Sequence, residues 1–413
     1  MYTTIFYIIL GLFIFEFLFS KILSYLNTLN WSTSLPKELK AIYDAKKYKK
    51  SMKYEKDKYD FGNISGMFSF LIMYFVLVFG LFGGLYDFVS IYTSNEILRT
   101  LYFFGIIVLI QTIIGLPFSY YSTFVIEEKF GFNKMTKKIF FIDIFKSLLL
   151  SGIIGGLLLA LITWFYLKTG ANFWLYTWGL VTFFSVFMMM FYSSLIVPIF
   201  NKQTPLKKGS LRSAIEKFAT SVGFKLDNIY VIDGSKRSSK ANAYFSGFGP
   251  KKRIVLYDTL INDLTDSELV GVLAHEIGHY KRKHTIKMLA LGVIQTGLML
   301  YILGLALDMP AISHALGSTT SSFAVGMVAF GILYTPISIF FGLIGNICSR
   351  KNEYEADEFA GINHDPKKLK NALIKLSRNN LSNLRPHPLF EFFNYSHPTV
   401  LKRLKFLDNI KKK

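Results

Sequence analysis

Two absences organise this sequence. It holds a single cysteine, Cys348, so no disulfide can form within the chain and a disulfide-stapled scaffold is excluded. Its first 270 residues contain no histidine; all seven fall at 275, 279, 284, 314, 364, 387 and 397. Imidazole chemistry therefore belongs to the last third. Acidic residues are also scarce, 27 against 47 Lys and Arg, which leaves a net charge of +20. No low-complexity linker or long-period repeat interrupts the chain. No basic stretch precedes the first apolar run and no small-residue cleavage site follows it, so that run reads as a retained helix rather than a signal peptide.

What is present is hydrophobic. Apolar residues make up 52% of the 413, aromatics 17%, and the mean hydropathy is +0.36, too apolar for an ordinary soluble protein. Seven windows are long enough to cross a bilayer as helices: Thr3–Leu26, Phe61–Val89, Leu101–Ile126, Ile139–Leu167, Asn172–Phe200, Thr285–Leu307 and Ser322–Cys348. The expected fold is thus a mainly α, polytopic membrane protein.

The excess of positive charge suggests nucleic acid until its distribution is considered. Of the 47 Lys and Arg, 43 lie between windows one and two, between three and four, in 201–265, in 281–287 and from Arg350 onward. The alternate connections carry only Arg99 and Lys168. This is the pattern of a membrane protein whose basic loops stay on the cytoplasmic side, with the N-terminus outside and the C-terminus inside. Nucleic acid is not an expected partner; the bilayer is.

Two soluble stretches remain, and both fall on the cytoplasmic side. Residues 1–200 hold five membrane helices and their loops, and 201–284 form the first part of a soluble domain. Residues 285–348 hold the last two helices, and 349–413 complete the domain. In the first soluble part, "SLRSAIEKFATSVGF" reads as an amphipathic helix. "IYVID", "NAYF" and "RIVLYDTL" read as strands of a small sheet, giving an α+β domain.

The histidines now acquire a context. In "LTDSELVGVLAHEIGHYK", Thr265 and Glu268 form the capping-box pair that starts a helix. His275 and His279 are then i and i+4 on one face, close enough to share a metal ion. Glu276 occupies the place of the general base in HExxH zinc sites. A catalytic zinc takes three protein ligands and keeps a fourth position open. A third histidine just downstream is absent, because the positions that would continue the motif are Arg282 and Thr285. The best candidate is Glu353 in "SRKNEYEADEFAG", with Asp357 four residues on, able to hold the far nitrogen of a ligating histidine. Glu355 and Glu358 of the same run are expected to be solvated, and one Zn²⁺ per chain is expected.

Several stretches then fall in a familiar order: "VIEEKFGFNKMTKKIFFID", "VPIFNKQTPLKKGSL", "GSKRSSKANAYFSGFG", "RIVLYDTL", "AHEIGHYKRKHT", "SRKNEYEAD" and "YSHPTVLKRL". Over nearly the full length the chain resembles the type I CAAX prenyl proteases, integral-membrane zinc endopeptidases. The resemblance implies His275, His279 and Glu353 as zinc ligands, and Glu276 as base. It also implies Asn242 and His397 as contacts to the substrate backbone or the developing oxyanion, and Arg403 as their support. It further implies a barrel of seven tilted helices around an intramembrane chamber, and a peptide or protein substrate that carries a lipid or a hydrophobic tail. The short connection between "YDTL" and the histidine helix, where eukaryotic relatives can carry a long insertion, points to a bacterial member in a cytoplasmic membrane.

Read from the residues alone, some of these positions stay open. Ala243, Tyr244 and Phe245 could form an edge strand that pairs with an extended peptide, while Asn242 also fits a plain turn. His397 precedes Pro398 and could simply cap a helix. His284, His314, His364 and His387 show no partner pattern and are expected to be non-catalytic. Glu16, inside the first window, should pack against an interior polar group, and Gly152 with Gly156 should permit close helix packing. Two rival functions remain: a heat-shock-type membrane quality-control protease, and a non-enzymatic transporter or scaffold that would leave HExxH unexplained.

Overall fold

The computed structural model describes residues 2–32, 34–40, 42–225, 229–246 and 253–410; the end of the "ANAYFSGFG" run, 247–249, lies outside these. Helices dominate. Five are long and apolar enough to cross a bilayer, or six when a bent pair counts as one span. They are Tyr2–Leu29, Ala45–Val78, the run from Glu96 to Phe130, the stretch Lys137–Phe200, His284–Leu307, and the pair Phe323–Leu333 with Thr335–Asn363, bent by 57°.

Three features depart from the apolar windows, each for a local reason. The window Phe61–Val89 is split: one helix stops at Val78, Gly80 turns the chain at φ 62°, and a second helix, Leu81–Tyr92, follows. There Gly83 donates to the Leu316 carbonyl at 3.0 Å, and a Cβ on Gly83 would lie 2.0 Å from the Gly317 carbonyl carbon. Only a glycine tolerates that approach. The last window breaks at Tyr334, where Pro336 opens the next helix and cannot extend the previous one. That helix does not end at Cys348 but runs on to Asn363, well beyond the apolar residues. The Gly152 and Gly156 pair does not mediate close packing. Residues Ser151–Gly155 form a π-turn, a Cβ at Gly152 would touch nothing within 4 Å, and one at Gly156 would meet only Leu101 at 4.0 Å.

Buried residues gather at the two ends of the helices. One cluster joins the residues around Tyr43 and Tyr54, the turn Ile126–Phe132 and buried side chains from Ile215 to Ile277 with others from Ala360 to Leu407. The other joins Ile9, Leu77, Phe82, Tyr86 and Phe103 to Ile312–Ala329. A third, smaller cluster packs Phe173 against Leu300, Leu303 and Phe330. Between them packing is thin: in the most apolar window of four of the five spans only 6% of residues are buried. Glu16 meets the polar partner expected of it, the Thr335 hydroxyl, which donates to Glu16 Oε2 at 3.4 Å.

The first cluster contains a four-stranded sheet. Its strands are β1 (Gln203–Pro205), β2 (Ile229–Ile232), β3 (Ala243–Ser246) and β4 (Arg253–Tyr257), in the order β1-β2-β4-β3. β2 and β4 are parallel, and the outer pairs are antiparallel. Ile254, Val255 and Leu256 of β4 are completely buried, as a central strand of Val, Ile and Leu should be. β3 is an edge strand, as its sequence suggested, and it packs against the helix Asp266–Lys281 and the helix Phe173–Leu195. The membrane loops hold it there. Ser239 N donates to the Phe132 carbonyl at 3.0 Å, and Lys134 N to the Arg237 carbonyl at 3.1 Å. Lys240 Nζ donates to Glu127 Oε2 at 2.7 Å and to the Tyr54 hydroxyl at 2.8 Å, and that hydroxyl in turn donates to Glu127.

Candidate active site

The helix carrying both motif histidines begins as its sequence dictates. Thr265 Oγ accepts from Glu268 N at 3.4 Å, and Glu268 Oε2 accepts from Thr265 N at 2.9 Å, a complete capping box. Lys375 donates to the same Glu268 oxygen at 2.7 Å and ties the helix start to Pro366–Asn379. The helix packs tightly on Thr335–Asn363. The close approach depends on the glycine of HEIGH: a Cβ on Gly278 would lie 3.1 Å from the Cα and carbonyl oxygen of Ala356.

That contact brings three donors together. His275 Nε2 lies 3.1 Å from His279 Nε2 and 3.4 Å from Glu353 Oε2, and His279 Nε2 lies 3.3 Å from Glu353 Oε1. Two ligands each about 2.0–2.2 Å from a tetrahedral zinc are roughly 3.3–3.5 Å apart, so the spacing fits one such ion. Glu353 Oε2 is buried and accepts no hydrogen bond, although Arg403 Nη1 stands 3.2 Å away. An acceptor orphaned in this way suits a cation. The three residues form the metal-competent group among the described residues.

Around them sits a layer of support. Asp357 is completely buried and accepts from His275 Nδ1 at 2.8 Å, which leaves Nε2 free to ligate. Arg403, also buried, donates to both Asp357 oxygens, at 2.6 and 2.8 Å. Burial and Arg403 push the His275 pKa down, but the nearby Asp357 and Glu353 carboxylates outweigh them and hold it up at about 9. A metal bound at Nε2 competes with a proton there.

Glu276, next to His275 on the same helix, is half-buried, and its charge reaches Arg403. His397, 44 positions after Glu353, folds back: its Nε2 lies 3.2 Å from Glu353 Oε1, with the ring 62% exposed. Arg350 and Asn346, on the Glu353 helix, hold that segment by donating to the Tyr395 carbonyl at 2.5 Å and the Phe393 carbonyl at 2.7 Å. The helix after it starts at Val400 with Thr399 at its N-cap, so His397 caps nothing. Asn242 is exposed and accepts from Ala243 N at 2.8 Å. With Tyr244 and Phe245 it lines a cavity of about 820 Å³.

Glu355 departs from its expected solvated role, and His284, expected to be non-catalytic, has partners the sequence did not show. His284 is 3% exposed, its Nδ1 is 3.0 Å from His279 Nδ1, and its Nε2 is 3.0 Å from Glu355 Oε2. Neither is a bystander. Their partners lie on different helices, so no periodicity in the sequence could reveal them. Glu358 does behave as expected, exposed and 3.2 Å from Arg282. His314, His364 and His387 serve local structure, near the Ser318 and Ser267 carbonyls and the backbone of Leu389 respectively.

Comparison with known proteins agrees with this geometry. The family model described as the CAAX prenyl protease N-terminal region with five membrane helices matches residues 24–202, and that of peptidase family M48 matches 205–411. A CAAX prenyl protease 1 homolog of Arabidopsis thaliana is 38% identical, covering 92% of each chain. The CAAX prenyl protease 1 of Saccharomyces cerevisiae is 34% identical, covering 98% of this chain and 96% of its own. The crystal structure of S. mikatae Ste24p superposes with a TM-score of 0.92 at 35% identity, covering 98% of this chain and 99% of that one. A bacterial origin finds no support among these relatives, which come from a plant and from yeasts. The match through the N-terminal helices also removes the non-enzymatic reading and favours this family over the heat-shock type. The chain belongs to the CAAX prenyl proteases of peptidase family M48, and is an integral-membrane zinc metalloendopeptidase.

Proposed function

We propose that this enzyme cuts near the C-terminus of prenylated, CAAX-like or otherwise hydrophobic-tailed peptides. Its zinc would be held by His275, His279 and Glu353. The observation that carries the reading is the convergence of those three donors within 4.8 Å of one another, beside an edge strand that fronts a cavity. A zinc ion held there would supply Lewis acidity to a scissile carbonyl and to an attacking water. Glu276 takes the proton from that water and delivers it to the leaving amine. Asp357 and Arg403 fix the orientation of His275, and His397 stands where it can donate to the developing oxyanion. The outer edge of β3, Ala243 to Phe245, offers backbone groups to an extended peptide, with Asn242 at its start. Met188, Met189, Tyr192, Val197 and Phe200 give the adjoining cavity an apolar wall suited to a hydrophobic tail.

Seven membrane spans, with the catalytic α+β domain on the cytoplasmic side, complete the proposal. The stretch Lys137–Phe200 is 64 residues long, about 96 Å as one helix, against a bilayer core of about 30 Å. It turns at Gly170, with φ 52°, and its two arms pack on each other. Counted as two spans, with the bent pair as one, the total is seven. The thin packing between the buried clusters is what an enclosing barrel with an internal chamber requires. The substrate is tested by offering the purified enzyme one CAAX-ended peptide, farnesylated or unmodified. Cleavage of the farnesylated form at a kcat/KM at least tenfold higher is the expected result, and equal cleavage of both forms would remove the prenyl group from the proposal.

A further inference from the structure

The two zinc histidines are supported unequally at first sight. His275 gives its Nδ1 proton directly to Asp357, whereas His279 faces another imidazole. We infer that His284 and Glu355 together form the orienting shell of His279, a relay that fixes its tautomer. This rests on the ligand assignment proposed above.

The proton count permits only one arrangement. To ligate through Nε2, His279 must carry its proton on Nδ1. Among the described residues the acceptor offered to it there is His284 Nδ1, 3.0 Å away. That nitrogen can accept only if it is bare, so the His284 proton sits on Nε2. His284 Nε2 is 3.0 Å from Glu355 Oε2, an acceptor that stabilises this tautomer and no other. Each link is thus an N–H donating onward, from His279 to His284 and from His284 to the carboxylate. With an apolar residue in place of Glu355, His284 could move its proton to Nδ1 and set two N–H groups against each other.

The backbone is arranged for the contact. Lys283 adopts the left-handed region, φ 57° and ψ 32°, a conformation uncommon for a lysine. It ends the histidine helix and turns His284 back toward His279. The side chain of His284 is almost wholly buried, so the middle of the relay is shielded from competing water. Glu353, Glu355 and Asp357 all come from one helix, Thr335–Asn363. One element therefore supplies the third ligand, one orienting carboxylate directly, and the other through an imidazole. His284 and Glu355 are positioning residues, because neither reaches the reacting atoms.

The test is zinc affinity of the purified full-length protein, measured by chelator competition without substrate, together with the d–d spectrum of the Co²⁺-substituted protein. His284→Leu and Glu355→Leu should each weaken zinc binding by about 10–100-fold and alter the Co²⁺ spectrum. The double variant should be no weaker than His284→Leu alone. Glu355→Gln keeps an acceptor oxygen and should stay within about threefold of wild type on the same scale. Thermal unfolding of the metal-free variants should match wild type. Wild-type zinc affinity in either leucine variant overturns the relay, and so does a loss fully matched by destabilisation of the metal-free fold. His279→Ala serves as the control: if it keeps zinc, the ligand assignment fails and the relay with it.

Discussion

At the scale of single residues, His397 is the sharpest case. Its sequence context left a helix cap and a catalytic donor both open. In the structure the next helix begins at Val400 with Thr399, not His397, at the N-cap position, while His397 Nε2 reaches to 3.2 Å from Glu353 Oε1. His397→Asn should therefore stay folded and keep its zinc while kcat falls, by about 10²–10³ if one oxyanion donor is lost. A wild-type kcat in that variant would return the residue to a structural role. Among the other site residues, those legible in the sequence are those whose partners lie on the same helix: His275 with His279, and Glu353 with Asp357. Arg403 needed the family resemblance, because its partner Asp357 lies 46 positions away. His284 and Glu355 were not legible at all, being 71 positions apart and joined only when two helices cross.

At the scale of elements, the site is a crossing of two helices, and Gly278 sets their distance. Gly278→Ala would place a methyl about 3.1 Å from the backbone of Ala356 and 3.2 Å from Phe359 Cβ, where neither neighbour can give way cheaply. Overpacking of this kind costs about 1–3 kcal/mol. The variant should unfold at a lower temperature and bind zinc more weakly, because Glu353 is carried away from the histidines. Unchanged melting and zinc affinity would show that the crossing has slack. The helix boundaries were the least legible feature of the fold. Hydropathy marks where a chain is apolar, but the turn at Gly80 and the bend at Tyr334 arise from backbone contact and from Pro336. Hydropathy also ends at Cys348, whereas the helix that delivers Glu353 continues with charged residues packed on the catalytic domain. The short strand β1 carried no pattern long enough to notice, at three residues.

At the scale of the whole molecule, the basic loops and the metal-competent residues share one end of the helices. The proposed orientation puts that end in the cytoplasm. Single cysteines in a Cys348→Ser background test it. Arg99→Cys, Lys168→Cys and positions within 310–319 should react with an impermeant reagent applied to intact cells, whereas Lys47→Cys, Lys207→Cys and Lys370→Cys should react only after lysis. Labelling of Lys207→Cys from outside would invert the topology.

The central claim, a single zinc served by Glu276 as base, is met most directly by the purified Glu276→Gln enzyme. Glutamine preserves size and hydrogen bonding but cannot take the proton. With Glu353→Ala alongside, zinc content and peptide hydrolysis are read on the same samples. The account predicts about one zinc per chain in Glu276→Gln with cleavage reduced by about 10²–10⁴-fold, and a loss of zinc itself in Glu353→Ala. Near-wild-type cleavage by metal-loaded Glu276→Gln would contradict it.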